Sequence, residues 1–226
     1  MGETLREDIW RESNGVSANH LYELAVAGFD AELKRAERVL DVGCGQGNFG
    51  RFLRERIPGE IHGADGVQFP ALPKEVYPHF TAVNLERSPY AIPGGPFDFI
   101  FMLEVIHYLE NPRGAVRALR DLLKPGGHLI ITTVNPLALP SVAVLLRSGM
   151  YREFQEGPAR YPGQRNPLLP EDGKRIIREA KMELVELNFS NRSRLPGTGK
   201  WMQDLLPFLS GRWFSDHFRV VGRRVT

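Results

Sequence analysis

Val39-Leu40-Asp41-Val42-Gly43-Cys44-Gly45-Gln46-Gly47-Asn48-Phe49-Gly50 decides how this chain is read. An apolar run ends in an acid, glycines follow at every second position, and Phe49, Phe52, Leu53 and Ile57 then recur at helical spacing. This predicts a strand over 38–42 that turns through bare backbone into a helix N-terminus, where main-chain groups can lie close to a ligand. Taken alone, Gly45-x-Gly47-x-x-Gly50 also satisfies the dinucleotide fingerprint, and Asp65 stands 20 residues after Gly45, where an NAD enzyme keeps its ribose acid.

Outward from that stretch, short apolar runs alternate with helical patterns. Strands are predicted at 61–64, 80–83, 97–103, 128–134, 182–189 and 218–225. A helix opens with Asn111 as N-cap and Pro112 at its first position, Pro125-Gly126-Gly127 turns the chain into the fifth strand, and 170–181 is helical. Strands separated by helices imply an α/β fold with a doubly wound, mostly parallel sheet of about seven strands. Two segments, 136–169 and 191–216, are longer than ordinary loops and read as substrate-cap insertions. The expected layout is one domain: a helical N-terminal lid over 1–36, a cofactor-binding core over 37–135, the cap insertions, and a last strand over 217–226.

Composition supports a single globular unit. The 226 residues are 42% hydrophobic and 25% charged, which excludes collagen-like, disordered and coiled-coil classes. The single cysteine, Cys44, rules out an intramolecular disulfide and a multi-thiolate zinc site, and it fits a reducing, cytoplasmic setting. Residues 1–13 lack the apolar run of a signal peptide, and 129–146 is interrupted by Asn135, Pro136 and Pro140, so no membrane span is expected. Charge is uneven: residues 1–139 sum to −4 and residues 140–226 to +6. The basic C-terminal part suits an anionic small molecule or a solvated face.

Five ordered segments go further than the glycines. Val39 to Gly47, with Asp41, Gly43, Gly45 and Gly47, resembles motif I of the class I S-adenosylmethionine-dependent methyltransferases. Gly63-Ala64-Asp65, Val83-Asn84-Leu85-Glu86, the block from Phe97 to Pro112, and Leu122-Leu123-Lys124-Pro125-Gly126-Gly127-His128 resemble the same family in order and spacing. The resemblance implies a Rossmann-like fold and S-adenosyl-L-methionine as cofactor. It assigns Asp65 to the ribose hydroxyls, with Gly66 beside it, Asn84 and Leu85 to the adenine, and Leu103 to the border of the sulfonium and its methyl group. Asp41, Gly43, Cys44, Gly45 and Gly47 complete the set, the glycines letting backbone pass beside the methionine moiety.

Methyl transfer to oxygen also needs a proton acceptor, which directs attention to Glu104-Val105-Ile106-His107-Tyr108. Residues three apart share a helical face, so Glu104 and His107 are expected to look together into the pocket. The block is similar to the Glu-x-x-Glu-His of ubiquinone-biosynthesis O-methyltransferases and plant small-RNA 2′-O-methyltransferases, which can hold a divalent metal. Here His107 replaces the second Glu and Tyr108 the His. One carboxylate and one imidazole are too few for a hard cation, so no metal is expected and His107 is read as general base, with Glu104 and Tyr108 as the other catalytic candidates.

Farther on, Arg165-Asn166-Pro167-Leu168 and the strand after it resemble methyltransferases of cell-envelope sugars or secondary metabolites, with Arg165 where those often carry His. The cap sets Tyr151, Phe154, Tyr161, Trp201 and Trp213 beside Arg147, Arg152, Arg160, Arg192, Arg194 and Lys200. The expected function is O-methylation of a small-molecule or glycan intermediate. Nucleic-acid methylation is the rival within the family, although no dense Lys/Arg run or RNA-binding module is present. NAD-dependent oxidoreduction and a non-catalytic cofactor-binding protein stay open, as does oligomeric state.

Overall fold

The computed structural model describes residues 19–66, 74–157, 164–195 and 200–225. The first half of the expected lid, and Arg160 and Tyr161 of the expected cap, lie outside the described residues. In chain order the elements are α1 (Asn19–Val26), α2 (Asp30–Leu33), β1 (Arg38–Val42), α3 (Asn48–Arg54), β2 (Glu60–Asp65), β3 (His79–Ala82), β4 (Phe97–Leu103), α4 (Pro112–Asp121), β5 (Leu123–Val134), α5 (Leu139–Ser148), α6 (Pro170–Glu179), β6 (Met182–Phe189), α7 (Met202–Leu205) and β7 (His217–Arg224).

Seven strands form one sheet in the order β3-β2-β1-β4-β5-β7-β6. Pairs from β3 through β5 are parallel, and β7 runs antiparallel between β5 and β6. The order reverses between β1 and β4, and there the helices that follow the two strands go to opposite faces, leaving a crevice at the carboxyl edge. Strand alternation divides the core into two layers. Leu40, Val42, Ile100, Met102, Leu129 and Ile131 pack on one side with α4 and α6. Val39, Phe99, Phe101 and Ile130 pack on the other with α1, α2 and α3.

Local rules set the element ends. Asn111 Oδ1 accepts from Gly114 N at 2.8 Å with Pro112 in the first turn, the cap read from sequence. The fifth strand starts earlier than expected, at Leu123. Gly126 takes φ 81° and the β4–β5 register shifts between Phe97 and Phe99, so the Pro-Gly-Gly turn becomes an irregularity inside a strand rather than a turn before it. Residues 136–169 also hold a helix, α5, that the prolines concealed. Pro140 stands in its first turn, where no intrahelical N–H is lost, and Gly149 closes it at φ 77°.

One buried cation ties the N-terminal helix to the last strand. Arg219 on β7 is 1% exposed and its guanidinium donates to the carbonyls of Leu24 (2.6 Å), Ala25 (3.1 Å) and Ala27 (2.9 Å). Those carbonyls lie at and just beyond the C-terminal end of α1, which carries partial negative charge. Glu186 on β6 completes the ion pair. The N-terminal segment is therefore packed down here, with Leu21, Tyr22, Ala25 and Val26 buried. Removing one partner of such a buried pair costs about 3–5 kcal/mol. Arg219→Met is expected to lower the unfolding free energy by that amount in urea titrations, and an unchanged midpoint would refute the tie.

Candidate active site

Because β1, β2, β3 and β4 are parallel and in register, their carboxyl ends lie along one edge. The glycine loop, Asp65, Asn84 and Leu103 are thereby brought together from positions up to 60 residues apart. Gly43, Gly45 and Gly47 take φ of 75°, 51° and 82°, a region that side chains resist. Their loop is closed from within. Gly43 N and Cys44 N donate to Ala64 O at 2.7 and 3.3 Å, and Gly45 N donates to Asp65 Oδ2 at 2.9 Å.

Asp41 lies beneath that loop. It is 2% exposed, accepts from Tyr77 Oη, and burial pushes its carboxyl up to about 7. Cys44 is buried and its thiol is raised by burial and by Asp41, as for an inert small residue. Asn84 Oδ1 accepts from Glu86 N at 3.0 Å, so its oxygen shapes a turn and its amino group is not used by that bond. Leu85 packs half-buried against the core, and its carbonyl accepts from Tyr90 Oη at 2.6 Å. An acid for a diol, an amide donor for adenine and a passage kept clear by glycines make a donor set that fits S-adenosylmethionine.

Beyond β4 the geometry departs from the helical-face expectation. Glu104 takes φ 59°, rare for a residue with a side chain, and His107 sits in a separate short 3₁₀ turn over Ile106–Tyr108. The two are instead held by consecutive threonines of β5. Thr132 Oγ1 donates to Glu104 Oε1 at 3.0 Å, and His107 Nδ1 lies 2.9 Å from Thr133 Oγ1. Consecutive strand residues point to opposite faces, so Glu104 and His107 are anchored on different sides of the sheet end. Both border a cavity of about 290 Å³, as does Tyr108.

The other wall joins cap residues to two histidines that no motif marks. His217, first residue of β7, places Nε2 3.5 Å from Glu104 Oε2, and His20 of α1 packs edge-on to it with ring centroids 5.7 Å apart. Trp201 meets His20 in turn at 5.1 Å, and the Arg194 guanidinium lies 5.0 Å from the Trp201 ring centre. Histidines at 20 and 217 carry no motif; only the threading of β7 beside β5 brings them here. Arg152 reaches the cavity already paired with Glu153 (2.6 Å) and Asp216 (3.5 Å), whereas Arg165 pairs with Glu110.

Burial dominates the electrostatics. It pushes Glu104 up to about 8, partly offset by the Thr132 hydrogen bond. It pushes His107 and His217 each down to about 3, His217 being further disfavoured as a cation by His20, His107 and the two arginines. His20 is lowered by burial and by Arg194, and Tyr108 is raised by burial. Among the described residues, three buried polar atoms around this cavity have no hydrogen-bond partner: His20 Nε2, His217 Nδ1 and Gln164 Oε1. Such atoms are costly unless a bound molecule completes them.

A glycine loop at the switch point of a doubly wound sheet, an acid at the neighbouring strand tip and a polar cavity beyond place this chain in the class of Rossmann-like folds. A family model described as a methyltransferase domain matches residues 17–176, and the chain belongs to that family, the class I S-adenosylmethionine-dependent methyltransferases. It is 28% identical over 134 residues to the ubiquinone biosynthesis O-methyltransferase of Cereibacter sphaeroides, a match covering 55% of this chain and 54% of that protein. The chain thus spans about half the length of the curated relatives it matches. Its fold resembles a SAM-dependent methyltransferase from Archaeoglobus fulgidus (TM-score 0.63, 16% identity, 98% and 99% of the two chains). It also resembles the Burkholderia thailandensis 1,6-didemethyltoxoflavin-N1-methyltransferase with bound S-adenosylhomocysteine (TM-score 0.59, 16% identity, 100% and 92%). The NAD reading of the same glycines falls away with this membership.

The raised Glu104 has a measurable consequence. Its folded value of about 8 exceeds the ordinary 4.5, so between those pH values the folded chain keeps a proton that the unfolded chain has released. Stability contributed by this group therefore falls as pH rises across the window. Glu104→Gln removes the titration, and its unfolding free energy relative to the parent should move in the variant's favour from pH 5 to pH 8.5. A pH-independent difference would show that Glu104 ionises normally.

Proposed function

We propose that this chain transfers a methyl group from S-adenosylmethionine to a hydroxyl oxygen of a small anionic acceptor held in the cavity between β4, β5 and β7. When bound, the cofactor supplies a methyl group already activated by positively charged sulfur. Asp65 accepts from the ribose hydroxyls, with Gly66 beside it, while Asn84 and Leu85 meet the adenine. Gly43, Cys44, Gly45 and Gly47 form the passage, Asp41 supports it from below, and Leu103 borders the methyl group. The observation that carries the reading is the cavity with its unpartnered polar atoms beside a carboxyl–imidazole pair.

The name of the Cereibacter relative favours oxygen as the atom methylated. A cavity of about 290 Å³ suits a small molecule better than a nucleic acid. Arg194 spread over Trp201 favours a planar or anionic group on the acceptor. The buried Cys44 is consistent with a reducing, cytoplasmic setting.

Proton removal is best assigned to His217 with Glu104. His107 is the candidate read from sequence, yet its Nδ1 is engaged by Thr133, and it is His217 whose ring lies beside the Glu104 carboxyl. In the pair, Glu104 as carboxylate accepts from His217 Nε2–H and leaves Nδ1 to take the acceptor's proton, a base oriented by a third group. Below about pH 8 the carboxyl keeps its own proton and the pair is blocked. His107 and Tyr108 then shape the cavity wall.

Titration calorimetry with S-adenosylhomocysteine tests the cofactor half: Asp65→Ala should weaken binding by about 1.5–3 kcal/mol, and equal affinity would remove Asp65 from the site. Methyl-labelled cofactor with a panel of hydroxybenzoates tests the acceptor half, the label being expected in an ether; label on nitrogen would overturn the oxygen assignment. With an acceptor found, kcat/KM should rise with pH through about 8, and His217→Asn should cut kcat by about 10² to 10⁴ with S-adenosylhomocysteine affinity kept. A larger loss in His107→Ala would return the base role to His107.

A further inference from the structure

The amino end of the sheet, opposite the cofactor edge, holds a second group of chemistry-bearing side chains that methyl transfer does not use. Glu60 and His62 stand two apart on β2 and share a face, and His79 on β3 is the register partner of His62. One donor atom from each lies within 4.8 Å of the others. His62 Nε2 is 3.4 Å from Glu60 Oε2, and the two imidazole rings stack with centroids 4.7 Å apart.

The surroundings fix His62 and leave His79 adjustable. His62 is 4% exposed, with Phe97 edge-on at 5.3 Å. Gly94 packs so closely that a Cβ there would fall 2.2, 2.8 and 3.0 Å from His62 Cε1, Nδ1 and Nε2, which fixes the ring, and Nε2 is the nitrogen that meets Glu60. His79 is an exposed residue on the edge strand, so rotation of its ring can close the remaining gap toward the roughly 3.3 Å that separates ligands in a tetrahedral site.

We propose that Glu60, His62 and His79 bind one divalent transition-metal ion of the zinc, nickel or copper kind. Two imidazoles and one carboxylate select such ions over magnesium or calcium, which take oxygen ligands, and water completes the shell from the open side. Arg38 is the built-in competitor, since its Nε lies 3.6 Å from Glu60 Oε2 and must withdraw as the ion enters. Binding would clip the four-residue edge strand β3 to β2.

Calorimetry of the full chain with zinc chloride, nickel chloride or magnesium chloride alone tests this. One zinc or nickel ion per chain should bind with micromolar affinity and raise the thermal midpoint, and magnesium should give no heat. His79→Ala, an exposed and fold-neutral change, should weaken zinc binding at least about tenfold and leave S-adenosylhomocysteine affinity unchanged. Arg38→Ala should tighten it. Absence of zinc and nickel binding overturns the proposal, as does full binding in His79→Ala, and loss of binding in His217→Asn would move the ion to the methyl-transfer cavity. None of these results depends on the acceptor or on the Asp65 assignment.

Discussion

Reversal of strand order between β1 and β4 is the constraint on which the rest depends. It opens the carboxyl edge at one point and fixes which residues can meet there. The glycines matter for different reasons along that edge. Gly43, Gly45 and Gly47 are needed for positive φ, whereas Gly50 and Gly63 make room for a ring: a Cβ at either would fall 2.3 or 2.8 Å from Tyr77. Tyr77 in turn reaches Asp41 beneath the loop. The third glycine of the apparent dinucleotide fingerprint is thus explained by packing inside the protein, and the pattern it completes says little about which nucleotide binds.

What could be read from sequence follows the range of the interactions. The glycine loop, the strand tips and the Asn111 cap are set by neighbours in the chain, and each was legible. Glu104 and His107 do reach one cavity, but not along a helical face, because helical spacing assumes helical φ and Glu104 at 59° breaks the turn before it begins. α5 is hidden in a proline-rich stretch, although Pro140 stands in its first turn, where proline is harmless. Nothing local could announce His20 and His217. They meet only because β7 inserts antiparallel between β5 and β6 while Arg219 draws the end of α1 onto it.

Arg219 therefore links stability to the site. Its neighbour two positions earlier on β7 is His217, on the same strand face, and the helix whose carbonyls it collects carries His20. The cation that caps α1 also sets the distance between two cavity histidines. A loosened cap would not need to unfold the domain to disturb the cavity, since a shift of α1 by an ångström moves His20 relative to His217 and Trp201.

Two clusters of Glu and His thus occupy opposite ends of one sheet, and desolvation separates their chemistry. At the carboxyl end, both Glu104 oxygens have protein partners, in Thr132 and His217, and the imidazoles are driven toward neutrality in a closed space. Charge there is costly until an acceptor arrives, so the pair is suited to moving one proton rather than holding an ion. At the amino end, Glu60 and His79 lie exposed with only His62 buried, and an entering cation can keep part of its hydration while one rigid imidazole supplies direction. Identical residue types become a proton-transfer pair or a cation site according to how much water the fold leaves beside them.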